Sequence, residues 1–189
     1  MADTELEGYR RQFQQIRSQA AELTAGLSES QFNWRPGAGE WSIEECLSHL
    51  VMVGQMQVRA IEAAVEEAHT RGIRGSGPFE YGHIDRFIVG LAEPPVRQAL
   101  PAPKRFHPLH GQPITAILPT FNHVQDMFVL QAERAEGLDL ARVKVATPIA
   151  RWLKLSLGMG FQLATAHERR HIEQARRVRV KLFQSNGSA

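Results

Sequence analysis

Cysteine is nearly missing: Cys46 stands alone among 189 residues, so no disulfide can form within the chain. Such usage suits a reducing compartment, and a cytoplasmic location is expected. Long apolar runs are missing too. No stretch reaches the roughly 18 consecutive apolar residues of a membrane span, and the opening MADTELEGYRRQFQQ lacks the apolar centre of a secretory signal. An excess of one charge is also absent, the formal net charge being +2. The densest basic group, Arg169, Arg170, Arg176, Arg177 and Arg179, reads as a solvated helix face rather than a phosphate site. Nucleic acid and membrane are therefore not expected partners. Finally, no alternating strand pattern exceeds about four residues; LARVKVA is the sole candidate and lies close to Pro148. No internal repeat or low-complexity tract is present.

What the chain has is helical periodicity, carried by an ordinary 43% of hydrophobic residues and 22% of charged ones. Tyr9, Phe13, Ile16, Ala20, Leu23 and Leu27 recur at spacings of three and four, predicting a first helix over residues 4–27. A break follows, SESQFNWRPGAGE. The second helix opens at Ser42, where SIEE matches a capping box with Glu45, and its stripe runs from Ile43 to Val65, ending near Arg71–Gly72. Residues 73–113 are punctuated by glycine and proline and read as a long irregular segment with one short helix near 81–91. A third long helix covers 114–136, with Pro119 either starting or kinking it. The fourth runs from Ala150 or Ser156 to Phe183, with Gly158 and Gly160 marking its start or a close helix contact. Four long amphipathic helices without a sheet predict an all-α four-helix bundle, one domain over residues 1–189.

The sharpest chemistry lies in HERRH at 167–171, which fits the H-E-x-x-H pattern of zinc metalloproteases. Those enzymes take a third ligand from downstream and hold substrate against a sheet edge. Only IEQARRVRVKLFQSNGSA follows, without a histidine, and no sheet is expected. The protease reading fails. His167 and His171 nonetheless share one helix face and interrupt an otherwise core-facing row: Gly160, Ala164, His167, His171, Gln174, Val178 and Leu182. Two buried imidazoles need partners. Either backbone or carboxylate groups bond them, or they share a metal ion. For a third ligand the best upstream histidine is His49, on the second helix beside Cys46, Val53 and Met56, a flank too apolar to be solvated. One histidine from helix two and two from helix four can meet inside a bundle.

These residues carry a resemblance. FNWRPGAGEWSIEECLSHL, with Trp34, Pro36, Trp41, Ser42, Ile43, His49 and Leu50, resembles the second-helix signature of the DinB-like superfamily, and His167, His171 and Gln174 resemble its late His-x-x-x-His helix. The resemblance implies a four-helix bundle holding one divalent metal at His49, His167 and His171, with zinc, nickel or iron as the ion, and a homodimer. It implies either hydrolysis or a thiol-dependent transfer using a low-molecular-weight thiol, with a non-catalytic metal-stabilised binding or stress module as the alternative. Metal identity cannot be read from three imidazoles, which suit several ions. Around this set, Glu168 is a candidate base and otherwise a solvated helix residue. Gln174 is a candidate to orient an imidazole, and Asn122 and His123 to line the pocket. Cys46 is a core cysteine or a further ligand. Lys104, Arg105 or Arg86 are candidates to meet a thiol cofactor's carboxylates.

Overall fold

The computed structural model describes residues 5–93, 104–148 and 152–186. Its elements are α1 (Glu5–Thr24), α2 (Glu29–Phe32), α3 (Ile43–Thr70), α4 (His83–Gly90), a 3-10 turn (Lys104–Phe106), α5 (Ile114–Arg134), β1 (Lys144–Ala146), β2 (Lys154–Ser156) and α6 (Leu157–Asn186). The four long helices form the expected bundle. α1 and α3 each pack chiefly on α5 and α6, so they stand diagonally opposite. That arrangement makes α3 and α6, the two histidine-bearing helices, direct neighbours.

The apolar stripes account for the packing. Phe13 and Ile16 of α1, Leu47, Leu50, Ile61 and Val65 of α3, Phe121 and Phe128 of α5 and Phe161 and Ile172 of α6 are all almost completely buried. They fall into two clusters stacked along the bundle. One holds Leu6, Tyr9, Phe13, Val65, Phe128, Phe161 and the ribbon residues Val145 and Leu155. The other holds Ile16, Phe32, Ile43, Leu47, Phe121, Ile172 and Leu182.

Several expectations are corrected. α1 stops at Thr24 rather than residue 27, and Gly26, at φ 73°, turns the chain while Leu27 still reaches the core. The break after it contains α2, whose capping box between Ser28 and Gln31 repeats the one between Ser42 and Glu45. A sheet is present, though minimal: β1 and β2 pair antiparallel, Val145 opposite Leu155. Pro119 lies inside α5 and does not start it; Pro113 holds the N-cap position. The short helix expected near 81–91 is α4. The proline-rich stretch 94–103 and the alternative helix start at Ala150 lie outside the described residues.

Gly158 and Gly160 serve both of the roles open to them, because α6 starts at Leu157 and both face close neighbours. A Cβ at Gly158 would collide with the Tyr81 hydroxyl, and one at Gly160 would come within 2.6 Å of Val145. This end of the bundle is sealed by paired polar groups. Glu5 accepts from the hydroxyls of Tyr9 at 2.6 Å and Tyr81 at 2.7 Å. Asp85 of α4 accepts from the Ser156 backbone N–H at 3.1 Å and from its hydroxyl, tying down the residue that precedes α6.

Candidate metal centre

The site is built where α3 and α6 meet. The Ser42 capping box fixes the start of α3, with Ser42 Oγ accepting from the Glu45 N–H at 3.1 Å and Glu45 accepting from the Ser42 N–H at 2.9 Å. Glu45 is held from outside by the Arg35 guanidinium. One further turn along, His49 points inward, 3% exposed. His171 is 8% exposed and His167 is half-buried. One ring nitrogen from each of the three lies within 4.8 Å of the others. Of the remaining expected companions of His49, Cys46 and Val53 are buried, whereas Met56 is 40% exposed and does not belong to that inward flank.

Two of the rings are oriented by oxygen atoms that can only accept. His49 Nδ1–H donates to the Phe106 carbonyl at 2.8 Å, and His171 Nδ1–H donates to Gln174 Oε1 at 2.9 Å. Both rings therefore keep the tautomer with a bare Nε2 when neutral. Gln174 thus has the orienting role expected of it. His49 Nε2 lies 3.2 Å from His167 Nε2. If His167 carries its proton on Nε2, it donates to His49 and leaves a buried Nδ1 acceptor alone. If it carries the proton on Nδ1, two bare lone pairs face each other. In either case Nδ1 of His167 has no hydrogen-bond partner among the described residues.

Burial holds all three imidazoles neutral. Desolvation lowers His167 to about 3, and it lowers His49 and pushes His171 well below the usual histidine range. Mutual repulsion and the nearby Arg170 charge act in the same direction. Neutral imidazoles with bare nitrogens are what a metal ion requires. Two nitrogens on one tetrahedral zinc at about 2.0–2.1 Å lie roughly 3.3 Å apart, which the His49–His167 separation matches. The donor set fits a borderline cation such as zinc or nickel.

Trp41 forms one wall, with its ring stacked on His171 at 5.7 Å and tilted against His49 at 5.0 Å. His107 meets Trp41 edge-on at 6.1 Å. The stretch that follows the 3-10 turn is tethered over the start of α3. Gly111 N–H donates to Glu44 at 3.3 Å, Asn33 Nδ2 donates to the Gln112 carbonyl at 3.2 Å, and the Ile114 N–H reaches the Glu29 carboxylate. Glu44 is fully buried, and desolvation raises it to about 7.

Other expected residues fall elsewhere. Glu168 is not solvated: it is 1% exposed, and its Oε1 accepts from Gln125 of α5 at 2.9 Å. Burial raises it to about 8. Cys46 is fully buried and outside the ligand group, its thiol pushed up by burial. Asn122 is half-buried, and His123 is exposed. Lys104, Arg105 and Arg86 are exposed, and Arg105 lies over the Phe106 ring. Two contributors were not legible as such in the sequence: the Phe106 carbonyl, a backbone group without residue signature, and the Arg170 guanidinium, hidden in an arginine-rich run.

Comparison with known proteins agrees with this architecture. The family model described as the DinB superfamily matches residues 12–175. Among solved structures, the chain is similar to YfiT from Bacillus subtilis, described as a probable metal-dependent hydrolase with an unusual four-helix bundle topology. The TM-score is 0.59 over 92% of this chain and 85% of that one, at 9% identity, a likeness of fold. No curated protein matches the chain.

Proposed function

The chain belongs to the DinB superfamily, and from that premise we propose that it is a metal-dependent hydrolase of a small molecule, with one divalent ion held by His49, His167 and His171. The observation that carries the reading is the convergence of three neutral imidazole nitrogens within 4.8 Å, from two neighbouring helices. The description of YfiT as a probable metal-dependent hydrolase supports the reaction class. Three histidines leave coordination positions open, the pattern of catalytic rather than closed structural sites. A zinc or nickel ion in this set supplies Lewis acidity, polarising a carbonyl or easing loss of a proton from water or a thiol.

The chain's own groups do the rest. The Phe106 carbonyl and Gln174 fix two ring orientations, so the ligands do not have to be ordered when the ion binds. Trp41 covers the imidazole faces and keeps water from them. Glu168, neighbour to a ligand, serves as the general acid–base group. Burial raises its carboxyl to about 8, so it holds a proton near neutrality, and Oε2 is the oxygen left without a partner among the described residues. A group titrating this close to neutrality suits proton transfer.

Elemental analysis of the purified protein tests the reading. About one equivalent of a transition metal is expected in the wild type, and each of His49→Ala, His167→Ala and His171→Ala should lose it while keeping its helical circular dichroism. A wild type still metal-free after zinc and nickel are offered would sink the reading. With the metal established, ester and amide hydrolysis assays run with and without an added low-molecular-weight thiol separate hydrolysis from thiol-dependent transfer.

A further inference from the structure

Four arginines are half-buried among the described residues: Arg10, Arg169, Arg170 and Arg179. Three of them are paired. Arg10 bonds Glu7 and Glu136, Arg169 bonds Gln12 and Glu93, and Arg179 donates to the carbonyls that end α1. Arg170 has no hydrogen bond and no ion pair with any described residue. The nearby acids are occupied: Glu93 by Arg169, and Glu173 by Arg176 and Arg177 at 4.0 and 3.6 Å. A half-withdrawn guanidinium without a counter-charge is costly, and it is retained where something outside the chain supplies the anion.

Its position says where that anion would lie. At about 100° per residue, Arg170 projects roughly 60° from the direction of His167, on the side opposite Glu168. Within one helical turn, α6 therefore presents a buried carboxyl, two metal-ligating imidazoles and an unpaired cation, in that angular order. The Arg170 charge acts on all three imidazoles, including His49 on the neighbouring helix. A divalent ion there would add positive charge, and the buried acids nearest the site do not cancel it. Glu168 is bonded to Gln125, Glu44 to the Gly111 N–H, and Glu45 is taken by Arg35.

We infer that Arg170 is the anion-recognising residue of this site, and that the substrate carries a carboxylate or similar oxyanion close to the group acted on. The inference rests on the metal-site reading above and narrows it from any small molecule to an anionic one. A planar guanidinium matches a carboxylate with two parallel N–H donors, which fixes the orientation of the substrate as well as holding it.

The test uses cobalt-loaded protein, whose visible spectrum reports ligands entering the metal site. Mercaptoacetate and 3-mercaptopropionate offer a thiol for the metal and a carboxylate for Arg170; 2-mercaptoethanol offers the thiol alone. The better of the two acids should bind about tenfold more tightly than 2-mercaptoethanol, the scale of one charge-assisted hydrogen-bonded pair. Arg170→Gln should erase that preference while leaving cobalt content and 2-mercaptoethanol affinity unchanged, and Arg170→Lys should keep part of it. Equal binding of acid and alcohol by the wild type, a preference that survives Arg170→Gln, or loss of cobalt from both variants would overturn the assignment. Failure of the wild type to take up cobalt, zinc or nickel would instead remove the metal reading, and this inference with it.

Discussion

The two ends of the bundle differ in the kind of buried polar group they leave unmatched. At the end closed by α4 and the ribbon, every polar group singled out above is matched: Glu5 takes two tyrosine hydroxyls, and Asp85 takes both donors of Ser156. That end is built around Phe13 and Phe128, stacked at 4.5 Å. It also buries two neutral amides, Gln57 and Gln131; Gln57 Oε1 and Gln131 Oε1 and Nε2 have no partner among the described residues. At the end where α3 begins, matching is also incomplete. His167 Nδ1 and Glu44 Oε1 are buried without a partner among the described residues, and Arg170 is half-withdrawn and unpaired. An unsatisfied buried polar group costs about 1–3 kcal/mol, so a fold that carries several in one place is less stable than it could be. Among the described residues, the first end leaves only neutral amides unmatched, and the second leaves ionisable groups unmatched as well.

The comparison breaks most visibly at the first end. Phe13→Ala removes half of the stacked pair from a position that is fully buried. It should cost about 3–5 kcal/mol, read as a lower urea midpoint, while the fraction still folded binds metal with wild-type stoichiometry. Loss of metal uptake from folded Phe13→Ala protein would show that the two ends are not separable. The second end should respond differently. His167→Leu removes the orphaned Nδ1 but also takes the Nε2 partner of buried His49, so the two effects offset and the stability of the metal-free protein should change by less than about 1 kcal/mol. It should also abolish the rise in melting temperature that zinc gives the wild type. A larger loss of stability together with retained zinc stabilisation would contradict that difference between the ends.

How much of this was legible in the sequence depends on how local each signal is. The four long helices and both histidine motifs were readable because stripes and i, i+4 pairs belong to single helices. β1, β2 and α2, at three, three and four residues, are too short to show any period. Met56 was misplaced because it shares the direction of His49 two turns further on, at the edge of the buried face of α3 that runs through Leu50, Gly54, Ile61 and Val65, and at that level the edge is not covered. Glu168 was read as solvated by the usual rule for charged residues. That rule assumes a helix with a water-facing side, and around this turn Thr165, Ala166, Glu168 and His171 are all buried. Arg170 was indistinguishable from Arg169 because their difference lies in distant partners. Gln12 and Glu93 reach Arg169, from 157 and 76 residues away, and no described group reaches Arg170.

The finest discrimination concerns Glu44, on which the strap after the 3-10 turn rests. Its carboxyl titrates at about 7 when folded, against 4.5 ordinarily, because burial disfavours its charge more than the Gly111 N–H supports it. A raised folded value means that the native state holds the proton more tightly than the unfolded chain does. The resulting stability is fully present below about pH 4.5 and is lost as pH rises through about 7. The three histidines run the other way. Their lowered values give stability that is present above the ordinary histidine range and is lost as pH falls. Wild type and Glu44→Gln share those histidines, together with Glu45, Arg35 and His110, the charged groups that flank Glu44. The difference between their urea midpoints in the metal-free state therefore isolates Glu44. Between pH 5 and 8 the wild type should lose roughly 1–2 kcal/mol relative to Glu44→Gln, whose amide oxygen can still accept from Gly111 but has no proton to give up. A difference that does not change with pH would mean that the Glu44 carboxylate is already ionised in the fold. Its unpartnered oxygen would then need a cation or water beside it, and the contrast between the two ends would narrow to the histidines and Arg170.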